Sequence, residues 1–397
     1  MTEQGTIKDK RITILCFIAH YLPGYRSGGP LRSIANFVDH LGDEFDIRIV
    51  TRDRDVHDIA SYPGVDVDAW NVVGNAKVFY ASKKTLNLLG MTRLLRKTPY
   101  DVLYLNSYFA FSLTGYALLV RKLGLVPKRP CVISPRGEFS SGAMALKRRK
   151  KQLYIYLTSF IGIYNDLLWQ ASSGFEATDI RHVVGNNANK IFVASDLFQK
   201  LPTNENISGQ KHGRAWGPLR IIFLSRISPM KNLDFLLRSL RGVTQHVEFV
   251  IYGPVEDKDY WAICKKLIAQ LPENVRVKYM GEINPDQVLR AFGKYDLFVL
   301  PTRGENYGHV IAESLTAGTP VLISDQTPWQ ADDAGGITTL ELGDSLRWAE
   351  EINRWAILDN NSLFMLRKAA KNIAKITSTN NELIEQNKKL FLSALAQ

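Results

Sequence analysis

The chain has 397 residues, which exceeds the size at which a single hydrophobic core keeps growing and therefore predicts two domains. Hydrophobic residues make up 45% and charged residues 22% of the sequence, a balance that excludes an intrinsically disordered protein. The net charge of +11 favours anionic partners, namely nucleic acid, anionic lipid or a phosphorylated small molecule.

The N-terminal sequence and the cysteines indicate the cellular compartment. The first ten residues, MTEQGTIKDK, are polar, and the apolar run ITILCFIA behind them is too short to span a bilayer, so we expect no secretory signal. Three scattered cysteines in apolar runs exclude a disulfide framework and a zinc cluster: Cys16, Cys131 and Cys264. We expect a cytoplasmic protein.

Short β-branched runs alternate with helical segments along the chain, which is typical of parallel sheets with helices on both faces. In the first half the strand candidates are ITILCFIA, FDIRIVT, VFYA, DVLYLN and CVISP, and the helix candidates are GPLRSIANFVDHLG and TLNLLGMTRLLRK. An apolar stretch at 153–169, LYIYLTSFIGIYNDLLW, is interrupted by Asn165 and Asp166 and predicts a buried helix rather than a membrane anchor.

A polar segment at 199–217, QKLPTNENISGQKHGRAWG, predicts an interdomain linker. The alternation then resumes with the strand candidates LRIIFLS, VEFVIYG, VRVKYMG, DLFVLP, PVLIS and GITTL. We predict an α/β protein of two facing Rossmann-like domains with the ligand in the cleft between them, because such sheets bind ligands at the carboxyl ends of their strands. The predicted divisions are an N-terminal acceptor-side domain at 1–200, a linker at 201–217, a nucleotide-binding domain at 218–376 and a C-terminal helix at 377–397 that packs toward the first domain.

The stretch DLFVLPTRGENYGHVIAESLTAGTPVLIS predicts a strand, a glycine loop, a helix over about 309–317 and a second strand. Backbone N–H groups at the start of this helix, together with the positive end of the helix dipole, would form an anion site. These N–H groups belong to Asn306, Tyr307, Gly308 and His309. The His309 side chain itself either caps or packs against the helix, or takes part in the chemistry.

Two glutamates, Glu305 and Glu313, stand eight positions apart in this stretch. A helix throughout would separate them by roughly 12 Å, which exceeds the carboxyl separation of about 5 to 9.5 Å in glycosidases. Carboxylates accept hydrogen bonds from sugar hydroxyls and repel phosphate. The pair therefore suits an elongated ligand with hydroxyls at both ends and phosphate between them, as in a nucleotide sugar.

A second stretch, IIFLSRISPMKNLDFLLRSL, carries Arg226 and Lys231 just after a predicted strand. Two cations at the carboxyl end of a strand can compensate the charge of a diphosphate leaving group. The alternative is a pair of solvated surface charges.

Four features in chain order resemble those of a retaining glycosyltransferase of the GT-B fold, family 4, the group 1 transferases of bacterial surface polysaccharide synthesis. They are an N-terminal strand followed by GYRSGGP, the segment SPRGEFSSGA, the cations of SRISPMKN, and the E-x7-E of ENYGHVIAE followed by AGTPVLIS. The resemblance covers nearly the whole chain. It implies transfer of a sugar from a UDP-type or GDP-type donor to a saccharide or lipid-linked saccharide in the synthesis of lipopolysaccharide O-antigen, capsule or exopolysaccharide. It implies neither a metal nor a cofactor.

The resemblance also implies roles for individual residues. Arg226 and Lys231 would bind the donor diphosphate and stabilise its departure, and Glu305 would lie near the donor sugar and the reacting face. Glu313 would accept hydrogen bonds from the ribose hydroxyls. The remaining donor-binding residues implied are Gly28 and Gly29 in an N-terminal loop, Gly253 and Ile283 near the base, and Asn306, Tyr307 and Gly308 near the distal phosphate or sugar.

The sequence departs from the family pattern at two places. Many relatives have a histidine after the fourth strand of the first domain, where DVLYLNSYF here offers Asn106 and Ser107. The interdomain segment reads VASDLF where a Pro-Asn-Gly turn is usual. The use of a histidine and the details of the hinge therefore do not transfer.

Further cations are candidates for the acceptor side or the membrane side. Arg136 in SPRGEF follows a predicted strand and is a candidate to face the acceptor. Five consecutive cations precede an aromatic stretch in ALKRRKKQLYIYL, and they are Lys147, Arg148, Arg149, Lys150 and Lys151. They form either a solvated helix face or a site of attraction to anionic lipid headgroups, which would make the protein peripheral at the inner face of the cytoplasmic membrane.

Other classes of protein need motifs that this sequence does not supply. A dinucleotide oxidoreductase needs G-x-G-x-x-G after a strand, and IAHYLPGYRSGGP does not provide it. A nucleic-acid-binding protein would fit the charge, but no helix-turn-helix, zinc or RNA-recognition signature accompanies it. Metal-dependent transferases use Asp-x-Asp, and we interpret the three such triplets, which begin at Asp53, Asp66 and Asp257, as chance.

Overall fold

The chain forms two compact units, each with its own sheet. The first unit comprises the chain up to Leu197 together with the segment that begins at Asn381. The second unit comprises Phe198–Asn380. The computed structural model describes residues 11–145, 147–185, 188, 190–201 and 217–396. The predicted linker at 201–217 lies outside the described residues except for its two ends.

The first unit is built on an eight-stranded sheet in the order β3-β4-β2-β1-β5-β6-β7-β8. All neighbouring strands pair in parallel except β3 and β4, which are antiparallel. The central strand β1 is buried along its whole length, as expected for a strand covered on both faces. The strands are β1 (Thr13–Phe17), β2 (Asp46–Arg52), β3 (Trp70–Val73), β4 (Ala76–Ala81), β5 (Val102–Asn106), β6 (Cys131–Ser134), β7 (Leu168–Ala171) and β8 (Ile191–Val193).

Helices cover both faces of this sheet. The buried side chains accordingly form two separate clusters. One cluster includes residues of α2, α3 and α6, and the other includes residues of α1 and α13. The helices of this unit are α1 (Gly29–Leu41), α2 (Leu88–Lys97), α3 (Tyr116–Lys122), α4 (Ser141–Ala145), α5 (Arg148–Ile161), α6 (Gly174–Val184) and α13 (Asn381–Leu395).

The C-terminal helix α13 packs on the first unit, which confirms the predicted docking. The ring of Phe391 lies 5.3 Å from that of Phe37 and 5.2 Å from that of Tyr104. The side-chain amide of Asn387 donates to the Ser195 carbonyl at 2.8 Å. The helix therefore belongs to a unit from which it is separated along the chain by the whole of the second unit.

The second unit has a six-stranded parallel sheet in the order β11-β10-β9-β12-β13-β14. Its strands are β9 (Leu219–Leu224), β10 (Val247–Tyr252), β11 (Val275–Tyr279), β12 (Leu297–Leu300), β13 (Val321–Ser324) and β14 (Ile337–Leu340). Its helices are α7 (Leu233–Ser239), α8 (Lys258–Ile268), α9 (Pro285–Phe292), α10 (His309–Thr316), α11 (Ser345–Ala356) and α12 (Asn360–Ser378). The strand order reverses between β9 and β12, which makes the carboxyl ends of these two strands the topological switch point where such sheets bind ligands.

The predicted α/β class with two Rossmann-like units is confirmed, but the prediction of one buried helix at 153–169 is wrong. Helix α5 ends at Ile161 because Gly162 takes a left-handed conformation with φ +68° and donates back to the Thr158 carbonyl at 2.9 Å. Part of the remaining stretch forms β7, and several apolar side chains of α5 are exposed. Among the described residues, no helix is both long and apolar enough to cross a membrane.

Candidate functional site

Two loops meet at the switch point of the second unit. One follows β9 and carries SRISPMKN, and the other follows β12 and carries TRGENYG. The Arg303 N–H donates to the Met230 carbonyl at 2.8 Å, and the Arg303 Nε donates to the Asn232 side chain at 3.1 Å. The Thr302 hydroxyl also donates to the Met230 carbonyl, at 3.2 Å. The two sequence motifs therefore form one continuous surface.

Lys231 and Glu305 form an ion pair across these loops. The Lys231 ammonium donates to Glu305 Oε1, and the two side chains are only 11% and 12% exposed. Lys231 ends a short 3-10 turn, Pro229–Lys231, after which Asn232 takes a left-handed conformation with φ 58°. This local geometry turns the lysine toward the loop after β12, so Lys231 is not a solvated surface charge.

Arg226 precedes Lys231 by five positions in the chain, but its side chain has a different environment. Its guanidinium donates to Glu256 at 2.7 Å, and the two side chains are 57% and 43% exposed. An ion pair with this exposure is weak, commonly worth about 0 to 1 kcal/mol, because water screens both charges. Arg226 can therefore exchange its carboxylate partner for a phosphate at low cost.

The helix after the second loop begins at His309, with Gly308 at the N-cap in a left-handed conformation of φ +82°. The N-cap glycine supplies no capping side chain, and the positive end of the helix dipole lies at the loop. The Tyr307 carbonyl accepts from Trp329 Nε1 at 2.6 Å, and the His309 ring lies 4.8 Å from the ring of Tyr307. These contacts fix the approach to α10, while Asn306 is partly exposed in the loop before it.

The two glutamates of the E-x7-E pattern occupy different settings. Glu305 lies in the loop, where its N–H donates to the Gln326 carbonyl at 3.1 Å, so the distance estimated for a continuous helix does not apply. Glu313 lies in the second turn of α10 and is only 5% exposed. Glu305 is thus at the surface formed by the two loops, and Glu313 is nearly enclosed by the helix and its neighbours.

Gly253 and Ile283 lie beyond the carboxyl ends of β10 and β11. Gly253 has φ +134°, and a Cβ added to it would lie 1.9 Å from the Ser225 carbonyl oxygen. Its N–H donates to Gly281 at 2.8 Å, and its carbonyl accepts from the Tyr279 hydroxyl at 2.9 Å. Glycine is required here to let the ends of β9 and β10 approach each other. Ile283 is partly buried against the core of the unit.

Replacing Gly253 with alanine should lower the free energy of unfolding by about 2 kcal/mol or more, because the added methyl group meets backbone atoms and φ is unfavourable for an L-residue. Urea unfolding followed by circular dichroism measures the change. Gly293→Ala is the matched control, because its φ is −56° and the nearest atom to an added Cβ is 3.6 Å away. Equal losses in the two variants would contradict this explanation of Gly253.

In the first unit, Gly28 and Gly29 stand at the start of α1. Gly28 is the N-cap residue, with φ +71°, and an added Cβ would meet nothing within 4 Å. The loop before it is held by Asp55, whose carboxylate accepts from the backbone N–H groups of Tyr25 at 2.8 Å and Arg26 at 3.2 Å. Gly28 therefore leaves open space beside a loop that is itself fixed.

At least one aspartate in each of the three Asp-x-Asp triplets has a structural partner. The Asp53 carboxylate accepts from the Arg54 guanidinium, and the Asp68 carboxylate accepts from Ser82. The Asp257 carboxylate caps α8 by accepting from the Tyr260 N–H at 2.9 Å. The contacts of these carboxylates are explained by the fold.

Arg136, the candidate to face the acceptor, has a buried side chain in this structure. Its guanidinium is 5% exposed and donates to the carboxylate of Asp196, to Asn106 Oδ1 at 3.0 Å and to the Tyr104 hydroxyl at 2.5 Å. Asp196 also accepts from the Ser33 hydroxyl of α1 at 2.6 Å. The physical reason is that a buried guanidinium must have its donors satisfied, and the neighbouring side chains satisfy them. Arg136 therefore joins the end of β6 to α1.

A second buried charge, Glu138, was missed by the sequence analysis. Its carboxylate accepts from the Ser107 hydroxyl at 2.6 Å and from the N–H groups of Tyr108 at 2.6 Å and Phe109 at 3.2 Å. Burial raises the pKa of Glu138 above the usual range, although these hydrogen bonds oppose the rise. Its fixed carboxylate holds the loop after β5, including Ser107. No local pattern marks this residue, because its partners are thirty positions away.

The five consecutive cations, 147–151, lie at the start of α5, and their side chains differ in exposure. Four of its cations are exposed, and they are Lys147, Arg148, Arg149 and Lys150. Lys151 instead turns inward, where its ammonium donates to the Ala143 carbonyl at 2.7 Å and lies 4.8 Å from the centre of the Phe109 ring. Lys151 is thus part of the packing between α5 and its neighbours.

Part of the chain matches a known protein family. The family described as "Glycosyl transferases group 1" matches residues 204–332. An uncharacterized glycosyltransferase of Methanocaldococcus jannaschii, MJ1607, is 29% identical over 106 residues, which is 26% of each chain. An uncharacterized 41.2 kDa protein in the cps region of Klebsiella pneumoniae is 26% identical over 278 residues, 63% of this chain and 71% of that protein. The match with the first of these relatives thus spans about a quarter of its length.

Solved structures establish the fold. The Anabaena protein Alr3699/HepE in complex with UDP-glucose superposes with a TM-score of 0.68 at 18% identity, over 98% of this chain and 100% of that one. At this level of identity the likeness concerns the fold, which is that of the GT-B class.

Proposed function

We propose that the protein is a retaining glycosyltransferase that uses a nucleoside diphosphate sugar. The match of residues 204–332 to the family described as "Glycosyl transferases group 1" supports this proposal. The donor would be of the UDP or GDP type, and the acceptor a saccharide or lipid-linked saccharide in surface polysaccharide synthesis. Two relationships support this assignment. One relative is described as a protein of a cps region, and a protein of the same fold was crystallised with UDP-glucose.

The observation that carries the proposal is the joining of the two loops at the switch point. It brings an exposed cation, Arg226, a nearly buried ion pair, Lys231 with Glu305, and the N-terminus of α10 to the carboxyl ends of β9 and β12. A diphosphate needs positive charge and N–H donors, and a sugar needs a carboxylate that accepts from hydroxyls. This surface offers all three kinds of group.

In the proposed reaction, the bond between the anomeric carbon and the diphosphate oxygen breaks while the acceptor hydroxyl forms its bond on the same face of the sugar. The acceptor proton passes to the departing phosphate oxygen, and the bonding electrons stay with the nucleoside diphosphate. Arg226 and Lys231 would stabilise the negative charge that develops on that leaving group. Glu305 would orient Lys231 and accept from donor hydroxyls, and Glu313 would bind the ribose.

Two properties belong to the same proposal. The two cations would take the role that a divalent metal has in other transferases, so neither a metal nor a cofactor would be needed. A lipid-linked acceptor would bring the protein to the inner face of the cytoplasmic membrane as a peripheral protein.

Calorimetric titration with a panel of UDP and GDP sugars tests the function. We expect one nucleotide sugar to bind, and its nucleotide to be released in the presence of acceptor and of EDTA. Titration with NAD and with duplex DNA separates the rival classes. Binding of either of these without any binding of a nucleotide sugar would overturn the proposal.

Glu256→Gln should tighten donor binding by up to about fivefold, because it removes a carboxylate that competes with the diphosphate for Arg226. The dissociation constant of the donor identified by the panel measures this effect. Glu273→Gln removes an acidic group of the same unit that is exposed and has no role in the proposed site, and it serves as the control. A weaker affinity in Glu256→Gln would mean that Glu256 itself binds the donor.

A further inference from the structure

Helix α5 exposes a continuous apolar stripe on its outer side. The stripe comprises Leu153, Tyr156, Leu157, Phe160 and Ile161, which are 59%, 68%, 47%, 83% and 50% exposed. Intervals of three and four positions place them on one face of the helix. At about 1.5 Å per residue the stripe is roughly 12 Å long. An apolar stripe of this kind that is exposed to water indicates an interaction site.

The orientation of the stripe is fixed by the opposite face of the helix. Tyr154 and Ile155 pack against the core of the first unit, and Thr158 is 5% exposed. The Tyr154 hydroxyl lies 2.9 Å from that of Tyr164, and the Thr158 hydroxyl lies 3.0 Å from that of Tyr108. The stripe therefore cannot be buried by rotation of α5.

The charge next to the stripe determines which partner fits. Arg149 and Lys150 lie one turn before Leu153 on the same side of the helix. From Lys147 to Asn165 the sequence contains no acidic residue. Within the described parts of the chain, none of the four exposed cations forms an ion pair with a carboxylate. A partner must therefore offer negative charge beside an apolar layer.

We propose that α5 lies in the interface of a bilayer with anionic headgroups, with its stripe among the acyl chains and its first turn at the phosphates. An interfacial helix has this combination of an apolar face and flanking cations. A second copy of this chain fits less well, because an isologous contact through α5 would offer the same cations and no acid. The inference deepens the proposed membrane contact and in that respect rests on the proposed function.

Sedimentation with phosphatidylcholine vesicles, with and without phosphatidylglycerol, tests the proposal at low and high salt. The wild-type protein should bind only the anionic vesicles, and more weakly at high salt. The variant Arg149→Gln/Lys150→Gln should bind about thirtyfold more weakly, at roughly fivefold for each cation near the surface. The variant Leu157→Ser/Phe160→Ser should bind the anionic vesicles more weakly by a factor of roughly ten or more.

Matched controls change the same residue types elsewhere. Phe364→Ser/Met365→Ser alters apolar side chains of α12 that are 63% and 59% exposed, and Lys265→Gln/Lys266→Gln alters exposed cations of α8. Both controls should bind the vesicles as the wild type does. Each variant is also titrated with the donor, so a loss of vesicle binding with normal donor binding separates this proposal from the proposed function.

Two results would overturn the inference. One is equal vesicle affinity of the wild type and both α5 variants, including the absence of affinity in all three. The other is a change from dimer to monomer in Leu157→Ser/Phe160→Ser by analytical ultracentrifugation, which would show that a second copy covers the stripe.

Discussion

Replacing Lys231 with alanine should lower the turnover number by about 10² or more, the scale for losing a preorganised charge at a developing anion. The change removes the ammonium group and also leaves the Glu305 carboxylate without its cation in a setting that is 12% exposed. An uncompensated carboxylate next to the leaving phosphate would raise the barrier further. Release of nucleotide from the donor in the presence of acceptor measures the effect.

Three further variants make this result specific. Lys231→Met keeps most of the side-chain volume and should be as impaired as Lys231→Ala, whereas Lys265→Ala, on the exposed face of α8, should have normal turnover. Lys231→Ala combined with Glu305→Gln should lose less than the two single losses multiplied together, because the two side chains act as a pair. Near-normal turnover of Lys231→Ala, with an unchanged melting temperature, would remove Lys231 from the proposed site.

Replacing Arg136 with alanine should lower the free energy of unfolding of the first unit by about 3 to 5 kcal/mol, the usual effect of removing one partner of a buried ion pair. The change leaves Asp196, whose side chain is 5% exposed, without the guanidinium that neutralises it, and it removes the donors to Asn106 and Tyr104. It also weakens the connection from β6 to α1 through Ser33. Urea unfolding followed by circular dichroism measures the loss.

Arg93→Ala is the control for this experiment, because Arg93 is exposed on α2 and its removal should change stability by less than about 0.5 kcal/mol. Removing both charges with Arg136→Met/Asp196→Leu should recover part of the stability, since no charge then remains buried and unpaired. A loss of less than about 1 kcal/mol in Arg136→Ala would contradict the assigned role and would return Arg136 to the group of candidate acceptor contacts.

The sequence predicted correctly those strands and helices that have a strong local residue pattern. Apolar runs such as LRIIFLS and DLFVLP have the length and β-branched content of buried parallel strands, and they became β9 and β12. Short strands with weaker patterns, such as β3 and β8, were not predicted, because pairing with a neighbouring strand rather than local composition stabilises them. The helix over 309–317 was predicted because glycines mark both of its ends, and α10 covers all but its last residue.

The sequence also identified which charges follow strand ends, but it did not identify their partners. Arg226, Lys231 and Glu305 could be selected because the carboxyl ends of parallel strands share one edge of a sheet. That Lys231 pairs with Glu305 and Arg226 with Glu256 depends on the fold of the loops after β9, β10 and β12 and could not be deduced. The same holds for Arg136, which the sequence presented as a candidate to face the acceptor and the structure shows to be paired with Asp196, sixty positions later.

By itself, the sequence of this protein determined two Rossmann-like units and a candidate donor site at one strand edge, because periodicity and strand ends are local properties of the chain. Only the tertiary structure decided which side chains are buried. Residues 153–161 are apolar on both sides of α5, so no periodicity distinguishes the side that packs on the core from the side that remains exposed. That distinction arises from the shape of the neighbouring elements, since Tyr154, Ile155 and Thr158 meet the core, whereas Leu153, Leu157 and Phe160 are 59%, 47% and 83% exposed.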